Sequence, residues 1–350
     1  MIIHADETSI LRAAAVVRRG GLVAFPTETV YGLGADATNA EAVARIFAAK
    51  GRPQFDPLIV HVASTQQACA LWAYTPPLAA RLIAKFWPGP LTLVLPKTAR
   101  IPDLVTAGLP TLAVRMPDHR IAQRLLEAAG CPISAPSANR FQRPSPTTAH
   151  DVEDELGDAV ELILDDGPTR VGIESTILAF EDDQPVLLRP GGVPLEALEE
   201  VTGGVIARRS QPGPVTAPGM LARHYAPRTP LYLLEDVVIP TLPASSLAYG
   251  RMRVALLSLG PLPAAPAFTH LEVLSKSGDL IEAAARLFQA MRRLDALRLD
   301  AIVTVPMPLH GLGLALMDRL QRASSGRATV QAGRLVLVPL HNRVRPTASG

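Results

Sequence analysis

Cysteine, aromatic side chains and excess charge are all scarce in this chain. It has two cysteines, 4% aromatic residues and a formal net charge of +2 over 350 residues. Cys69 and Cys131 lie far apart, which excludes a disulfide framework and argues against a cysteine zinc site. The near balance of charge speaks against a basic nucleic-acid coat or an acidic tail, although a local basic groove is compatible with it. No stretch approaches the roughly 18 apolar residues of a membrane span. The opening MIIHADETSI carries acidic residues and lacks the apolar heart of a signal peptide, so a cytoplasmic location is expected. There is no Walker A segment, no HExxH, no paired CxxC and no internal repeat. Gly311-x-Gly313 lacks the third glycine of a dinucleotide fingerprint.

What is present reads as globular, with 48% apolar and 19% charged residues. The length suffices for two ordinary domains, and 33 prolines mean many fixed turns. Short β-branched runs alternate with helical patterns, which predicts an α/β fold. Expected strands are Leu22–Phe25, Leu58–Val62, Leu91–Leu95, Leu112–Arg115, Leu162–Leu164, Thr176–Phe180 and Val186–Arg189. Between the first two, Thr38 and Glu41 have capping-box spacing, Val43, Ile46, Phe47 and Lys50 follow at helical intervals, and Gly51 can end the helix. From 201 to 230 the pattern stops in a Gly/Pro-rich stretch too long for a simple joint. Strands at Leu231–Leu234, Arg253–Ser258 and Ala301–Val305 are expected after it, with helices over Asp279–Leu297 and from Gly311. The final HNRVRPTASG is expected to fray.

Several polar segments sit at strand or helix ends. FPTETVYGLG brings hydroxyls at Thr27, Thr29 and Tyr31 together with Gly32 and Gly34, and reads either as a binding turn or as a polar turn leading to a helix. Lys50 and Arg52 suit a helix C-terminus and equally suit a phosphate clamp. His61 interrupts the apolar run LIVHV, and Arg115 ends TLAVR where α/β sites tend to lie. SAPSAN, with Ser137 and Asn139, GIESTI and LLRPGG pair small or hydroxyl residues with arginine at strand ends. No His and Asp stand at a recognisable spacing from Ser137, so a hydrolase nucleophile is not read there.

FPTETVYGLGAD, KGRPQFDPLIVHV, FWPGPLTLVL, AVRMPDH, ISAPSAN, GIESTI and LLRPGG occur in the order and spacing of the YrdC-like family. The resemblance covers roughly 6–200, and APGMLARHYAP and GLGLALMDRLQRAS resemble the linker and C-terminal domain of its long form, the two-domain threonylcarbamoyl-AMP synthases. It implies an open, twisted α/β sheet with a concave basic cleft (6–200), a Gly/Pro-rich linker over the active site (201–230) and a smaller Rossmann-like α/β C-terminal domain (231–342). It implies synthesis of L-threonylcarbamoyl-AMP and pyrophosphate from L-threonine, bicarbonate and ATP with Mg²⁺, for threonylcarbamoyl-adenosine modification of tRNA beside the anticodon. The reaction class is nucleotidyl transfer.

The same resemblance places threonine against Thr29, His61, Arg115, Ala135 and Ser175. It places ATP against Arg52, Asp56, Thr111, Ser137, Asn139, Ser145, Arg189 and Tyr225, and assigns catalysis to Lys50 and Arg52. No protein metal ligand is assigned. Relatives often carry Asn at the position of Asp56. A carboxylate there repels a triphosphate unless a metal lies between, so Asp56 either helps hold Mg²⁺ or points away. Downstream tRNA threonylcarbamoyl-transferase proteins are the implied partners, with at most weak RNA contact and no membrane. Tyr225 offers a ring face for adenine, so the linker is expected to act as a lid, the alternative being a spacer whose Tyr packs on the second domain. Two other readings are weaker. Carbamoyl transfer in hydrogenase maturation goes with CxxC pairs absent here, and a non-catalytic RNA-binding module would want more aromatic platforms.

Overall fold

A computed structural model describes residues 1–204, 206–208, 221, 223–235, 252–262, 268–331 and 334–340. The core of the 201–230 stretch and the 341–350 tail therefore lie outside the described residues. The fold is α/β throughout. Its first sheet is built from β1 (Ile2–His4), β2 (Val23–Phe25), β3 (Gly32–Asp36), β4 (Ile59–His61), β5 (Leu91–Pro96), β6 (Thr111–Arg115), β7 (Ile133–Ser134), β8 (Leu162–Asp165), β9 (Thr176–Glu181), β10 (Gln184–Arg189) and β11 (Ala207–Arg208). Their spatial order is β1-β8-β2-β3-β7-β4-β6-β5-β9-β10-β11, with parallel and antiparallel pairs mixed.

A second sheet holds β12 (Leu231–Leu234), β13 (Val254–Ser258), β14 (His270–Val273), β15 (Ala301–Thr304), β16 (Gly326–Gln331) and β17 (Arg334–Pro339). The order is β14-β13-β15-β12-β16-β17, parallel except at β17, as in a small doubly wound unit.

One unread strand and one cap need correction. GLGAD is the buried strand β3, antiparallel to β2, and the helix Ala40–Lys50 follows it. Glycine is required at position 34, where an added Cβ would lie 2.7 Å from the Phe25 ring and 2.9 Å from Ile133. The helix Ala40–Lys50 is capped by Asn39 rather than Thr38: Asn39 Oδ1 accepts from the Glu41 and Ala42 amides. Gly51 closes it in the left-handed conformation with φ 62°, and the Arg52 amide bonds back to the Phe47 carbonyl. That turn sends Lys50 and Arg52 inward together, both buried.

The ends of β4 and β6 supply the next pair. The two strands are parallel and place His61 beside Arg115 at their carboxyl ends. The two sheets do not keep separate cores. Val30 and Ile173 of the first share one apolar cluster with Tyr225 and with Leu287 and Phe288 of the helix Leu280–Ala296. Polar ties border this seam: Arg292 to Glu155 at 3.0 Å, Gln289 to Asp151 at 2.5 Å and Arg143 to Asp295 at 3.1 Å.

Gly172 is the tightest point. A Cβ there would lie 2.4 Å from Ala285 Cα and 2.5 Å from the Ala284 carbonyl. Gly172 and Gly108 share φ +77°, but Gly108 faces open space. Gly108→Ala therefore measures backbone strain alone. Gly172→Ala is expected to lose a further 1–3 kcal/mol or so by overpacking the seam. Thermal unfolding of the two variants checks this, and equal losses would mean that the seam yields freely.

Candidate active site

The turn after β2 is knotted by its own hydroxyls. Thr27 Oγ1 donates to the Val30 carbonyl at 2.7 Å and accepts from the Thr29 and Val30 amides. With its proton so used, Thr27 accepts from Thr29 Oγ1 at 2.8 Å. Thr29 in turn accepts from Arg115 Nη1 at 2.9 Å. Arg115 also reaches the Gly89 carbonyl through Nε and lies 2.6 Å from Glu28 Oε1, and this ion pair is buried on both sides. A buried pair of this kind is costly to break from one side, because the surviving charge has no water to turn to.

His61 is buried beside Arg115, and burial first, then the guanidinium, push its pKa down to about 3. It is therefore a neutral imidazole, and its Nδ1 has no hydrogen-bond partner among the described residues. Ser175 Oγ shares a 2.7 Å hydrogen bond with Thr92, and its carbonyl accepts from Arg189 Nε and Nη2.

A cationic side adjoins this pocket. Arg52 donates to the Asp56 and Pro57 carbonyls and pairs with Asp56 Oδ1 at 2.9 Å. Lys50 Nζ donates to the carbonyls of Ser137 and Asn139 at 2.5 and 2.6 Å, and burial, followed by Arg52, drives its pKa well below the usual lysine range. Glu174 bonds Ser145 Oγ at 2.5 Å and Arg319 Nε at 2.7 Å. Burial pushes its pKa up, but Arg319, Arg189 and the hydrogen bonds outweigh that and hold it low. His224 and Tyr225 complete the wall with their rings 4.0 Å apart. Burial and the surrounding cations keep His224 neutral.

One cleft joins these groups. Thr29, His61, Arg115, Ala135 and Ser175 line it together with Arg52, Ser137, Arg189 and Tyr225. The other named residues stand apart. Lys50 lies behind the SAPSAN loop it orders, and Asn139 spends its amide on the Arg140 and Arg143 carbonyls. Ser145 faces Glu174. Asp56 is fully buried against Arg52 and outside the lining. Thr111 sits at the opposite end of β6 from Arg115, about 13 Å along an extended strand, and is not brought to the cleft.

Tyr225 lines the cleft and also packs 5.5 Å from Phe288 of the second sheet's helix. Sequence reasoning passed over Glu28, Glu174, His224 and Arg319 as site groups. Glu28 and Glu174 stood inside motifs already singled out. Arg319 had one signal, its place on the buried stripe Leu316, Arg319, Leu320, Ala323 of the helix Gly313–Ala323.

Comparison with known proteins follows the same division. A family profile described as "Telomere recombination", covering Sua5, YciO and YrdC proteins, matches residues 15–191. A second, described as "Threonylcarbamoyl-AMP synthase, C-terminal domain", matches residues 193–325. The chain is 46% identical to the threonylcarbamoyl-AMP synthase of Pyrococcus abyssi over 92% of its own length and 96% of the relative's. It is 42% identical to that of Bacillus subtilis over 92% and 94%. The crystal structure of P. abyssi Sua5 complexed with L-threonine superposes with a TM-score of 0.86 at 42% identity, covering 93% of this chain and 97% of that one.

The neutral histidines carry a pH signature. His61 and His224 are uncharged when folded but take up protons once unfolded below the ordinary value of 6.5. Stability is therefore complete above that value. It falls as pH drops below it, by up to about 1.4 kcal/mol per pH unit for each group. His61→Gln is expected to flatten the fall of the thermal midpoint between about pH 6.5 and 4.5. An unchanged slope would mean that His61 is already protonated in the native state.

Proposed function

The chain belongs to the Sua5, YciO and YrdC family in its two-domain form, and from that premise we propose that its cleft makes L-threonylcarbamoyl-AMP from L-threonine, bicarbonate and ATP, releasing pyrophosphate. It is an enzyme, and the product serves threonylcarbamoyl-adenosine modification of tRNA. The observation that carries the reading is the meeting, in one cleft, of an amino-acid-sized corner around Arg115 with a cationic corner around Arg52 and Arg189.

The reaction class that suits this site is nucleotidyl transfer. The neutral amine of threonine attacks carbon dioxide and loses a proton as the carbamate forms, and bicarbonate takes up that proton to yield the carbon dioxide and water. The carbamate oxygen formed then attacks the α-phosphorus, and pyrophosphate leaves with the electrons of the broken P–O bond. No protein nucleophile enters, so the side chains position the reactants and neutralise charge. Arg115 and Thr29 suit the amino-acid carboxylate and hydroxyl, while Arg52, Arg189 and Ser137 suit the phosphates. Lys50 contributes by holding the Ser137 and Asn139 carbonyls in place, and is a positioning residue.

Among the described residues no cluster of three or more His, Cys, Asp or Glu is arranged as a metal cage. We take Mg²⁺ to enter with the ATP substrate. We take 6–200 as the catalytic unit, 201–230 as the linker that covers it and 231–342 as the second domain. No described helix is long and apolar enough to cross a membrane. We place the enzyme in the cytoplasm, where it passes its labile product to tRNA threonylcarbamoyl-transferase proteins.

Initial rates of pyrophosphate release test this directly. Release is expected only with threonine and bicarbonate both present, and equal release without threonine would overturn the assignment. Arg115→Ala should raise the threonine KM about ten- to a hundredfold and leave the ATP KM nearly unchanged, with the reverse pattern for Arg52→Ala. Tyr225→Ala should lower the rate at an intact fold. Proteolysis between Arg208 and Arg228 should slow when ATP and threonine are added, whereas ligand-indifferent cleavage with full activity would reduce the linker to a tether.

A further inference from the structure

Arg319 heads the fully buried side chains of the molecule by volume, yet it belongs to the second domain and lies outside the cleft lining. Its guanidinium touches three segments that build the cleft. Nε donates to Glu174 Oε2 at 2.7 Å, in the GIESTI loop. Nη1 donates to the Pro190 carbonyl at 3.0 Å, next to Arg189 in LLRPGG. Its Cζ sits 5.0 Å from the centroid of the Tyr225 ring, a cation–π distance.

Each of those segments needs holding. Tyr225 carries φ +63°, a left-handed conformation that costs a non-glycine residue energy unless its surroundings fix it. Arg189 ends β10, and the turn that follows runs so close to the GIESTI loop that a Cβ on Gly191 would lie 2.3 Å from the Ser175 carbonyl carbon. Glu174 is a buried carboxylate amid cations, and its second oxygen fixes Ser145.

The helix bearing Arg319 also seats the linker. Asp318 bonds both Arg319 and Arg322, Arg322 Nη1 donates to the Leu221 carbonyl, and the Arg322 carbonyl accepts from the His224 amide. Burial would lower the basicity of Arg319, but Tyr225, Glu174 and Asp318 more than offset that, so its charge is permanent.

We infer that Arg319 is a positioning residue for the nucleotide half of the cleft, setting Glu174, the Arg189 loop and the Tyr225 ring from the second domain. The threonine half is tied mainly by Glu28 and Thr29 on Arg115, and Arg319's partners reach it only at Ser175 through Arg189, so Arg319 acts chiefly on the nucleotide. The inference rests on the ATP-using reading of the cleft proposed above.

Arg319→Met alone strands Glu174 as an unpaired buried charge, so the test uses the Glu174→Gln chain as its reference and adds Arg319→Met to it. Both charges are then absent, and the two chains differ in the ties of Arg319 to Pro190, Tyr225, Asp318 and position 174. A non-hydrolysable ATP analogue and L-threonine are titrated separately by calorimetry into the full-length chains. The double variant is expected to bind the analogue at least about fivefold more weakly than Glu174→Gln, with the threonine Kd within about twofold. Its ATP KM in pyrophosphate release should rise in parallel. Analogue affinity unchanged within about twofold, or equal losses for both ligands, overturns the inference. A parent chain that binds both ligands but releases no pyrophosphate would refute the assigned reaction and leave this binding test intact.

Discussion

Keeping positive charge out of water is the constraint from which the rest of this structure follows. Arg52, Arg115, Arg189 and Arg319 are all buried around one cleft. A guanidinium removed from water is tolerable only when carbonyls and carboxylates replace the lost hydration. Arg115 is answered by Glu28, Arg52 by Asp56 and two carbonyls, Arg189 by the Ser175 carbonyl, and Arg319 by Glu174 and Asp318. The carboxylates in the site are thus largely partners of arginines rather than agents in their own right. The field that remains is strong because it is dry, and it is aimed because every fork is already half occupied.

That arrangement explains the division of labour in the polar loops. The hydroxyls of Thr27 and Thr29 stiffen a turn and brace Arg115, and Lys50 shapes a loop by donating to its carbonyls. Many residues that look like ligands are therefore scaffolding one step removed. The cleft needs both kinds, since an anionic substrate is held well only by donors that do not have to reorganise when it arrives.

Much of the fold was legible because its elements announce themselves locally. Alternating apolar runs located most strands of the first sheet, and the heptad-like stripe of 280–296 located the longest helix. GLGAD was misread because glycine usually weakens a strand; here it is demanded by the Phe25 and Ile133 side chains, which no local pattern reveals. Strands β14, β16 and β17 were also missed: β14 is half-buried throughout and carries no apolar run, and β16 and β17 pair with each other at one edge of the sheet. In the site, Thr29, His61, Arg115 and Ser175 were reached through ordered motifs. Thr111 shares a strand with Arg115, but extended backbone carries it far from the cleft. Asp56 could not be placed by type alone, since the same carboxylate suits a metal and an arginine, and the structure shows it paired with Arg52.

The seam that joins the two sheets has a temporal side. Glu174 and Arg319 are 145 residues apart in the chain. At synthesis rates of about 5–20 residues per second, roughly 7–29 s separate the emergence of the two partners from the ribosome. During that interval the first sheet can already be folding while the GIESTI loop lacks its counter-charge and Tyr225 its seat. A nascent chain is in this sense an unfinished lock: it acquires the corner around Arg115 early and the wall of Glu174 and Tyr225 only as translation nears its end.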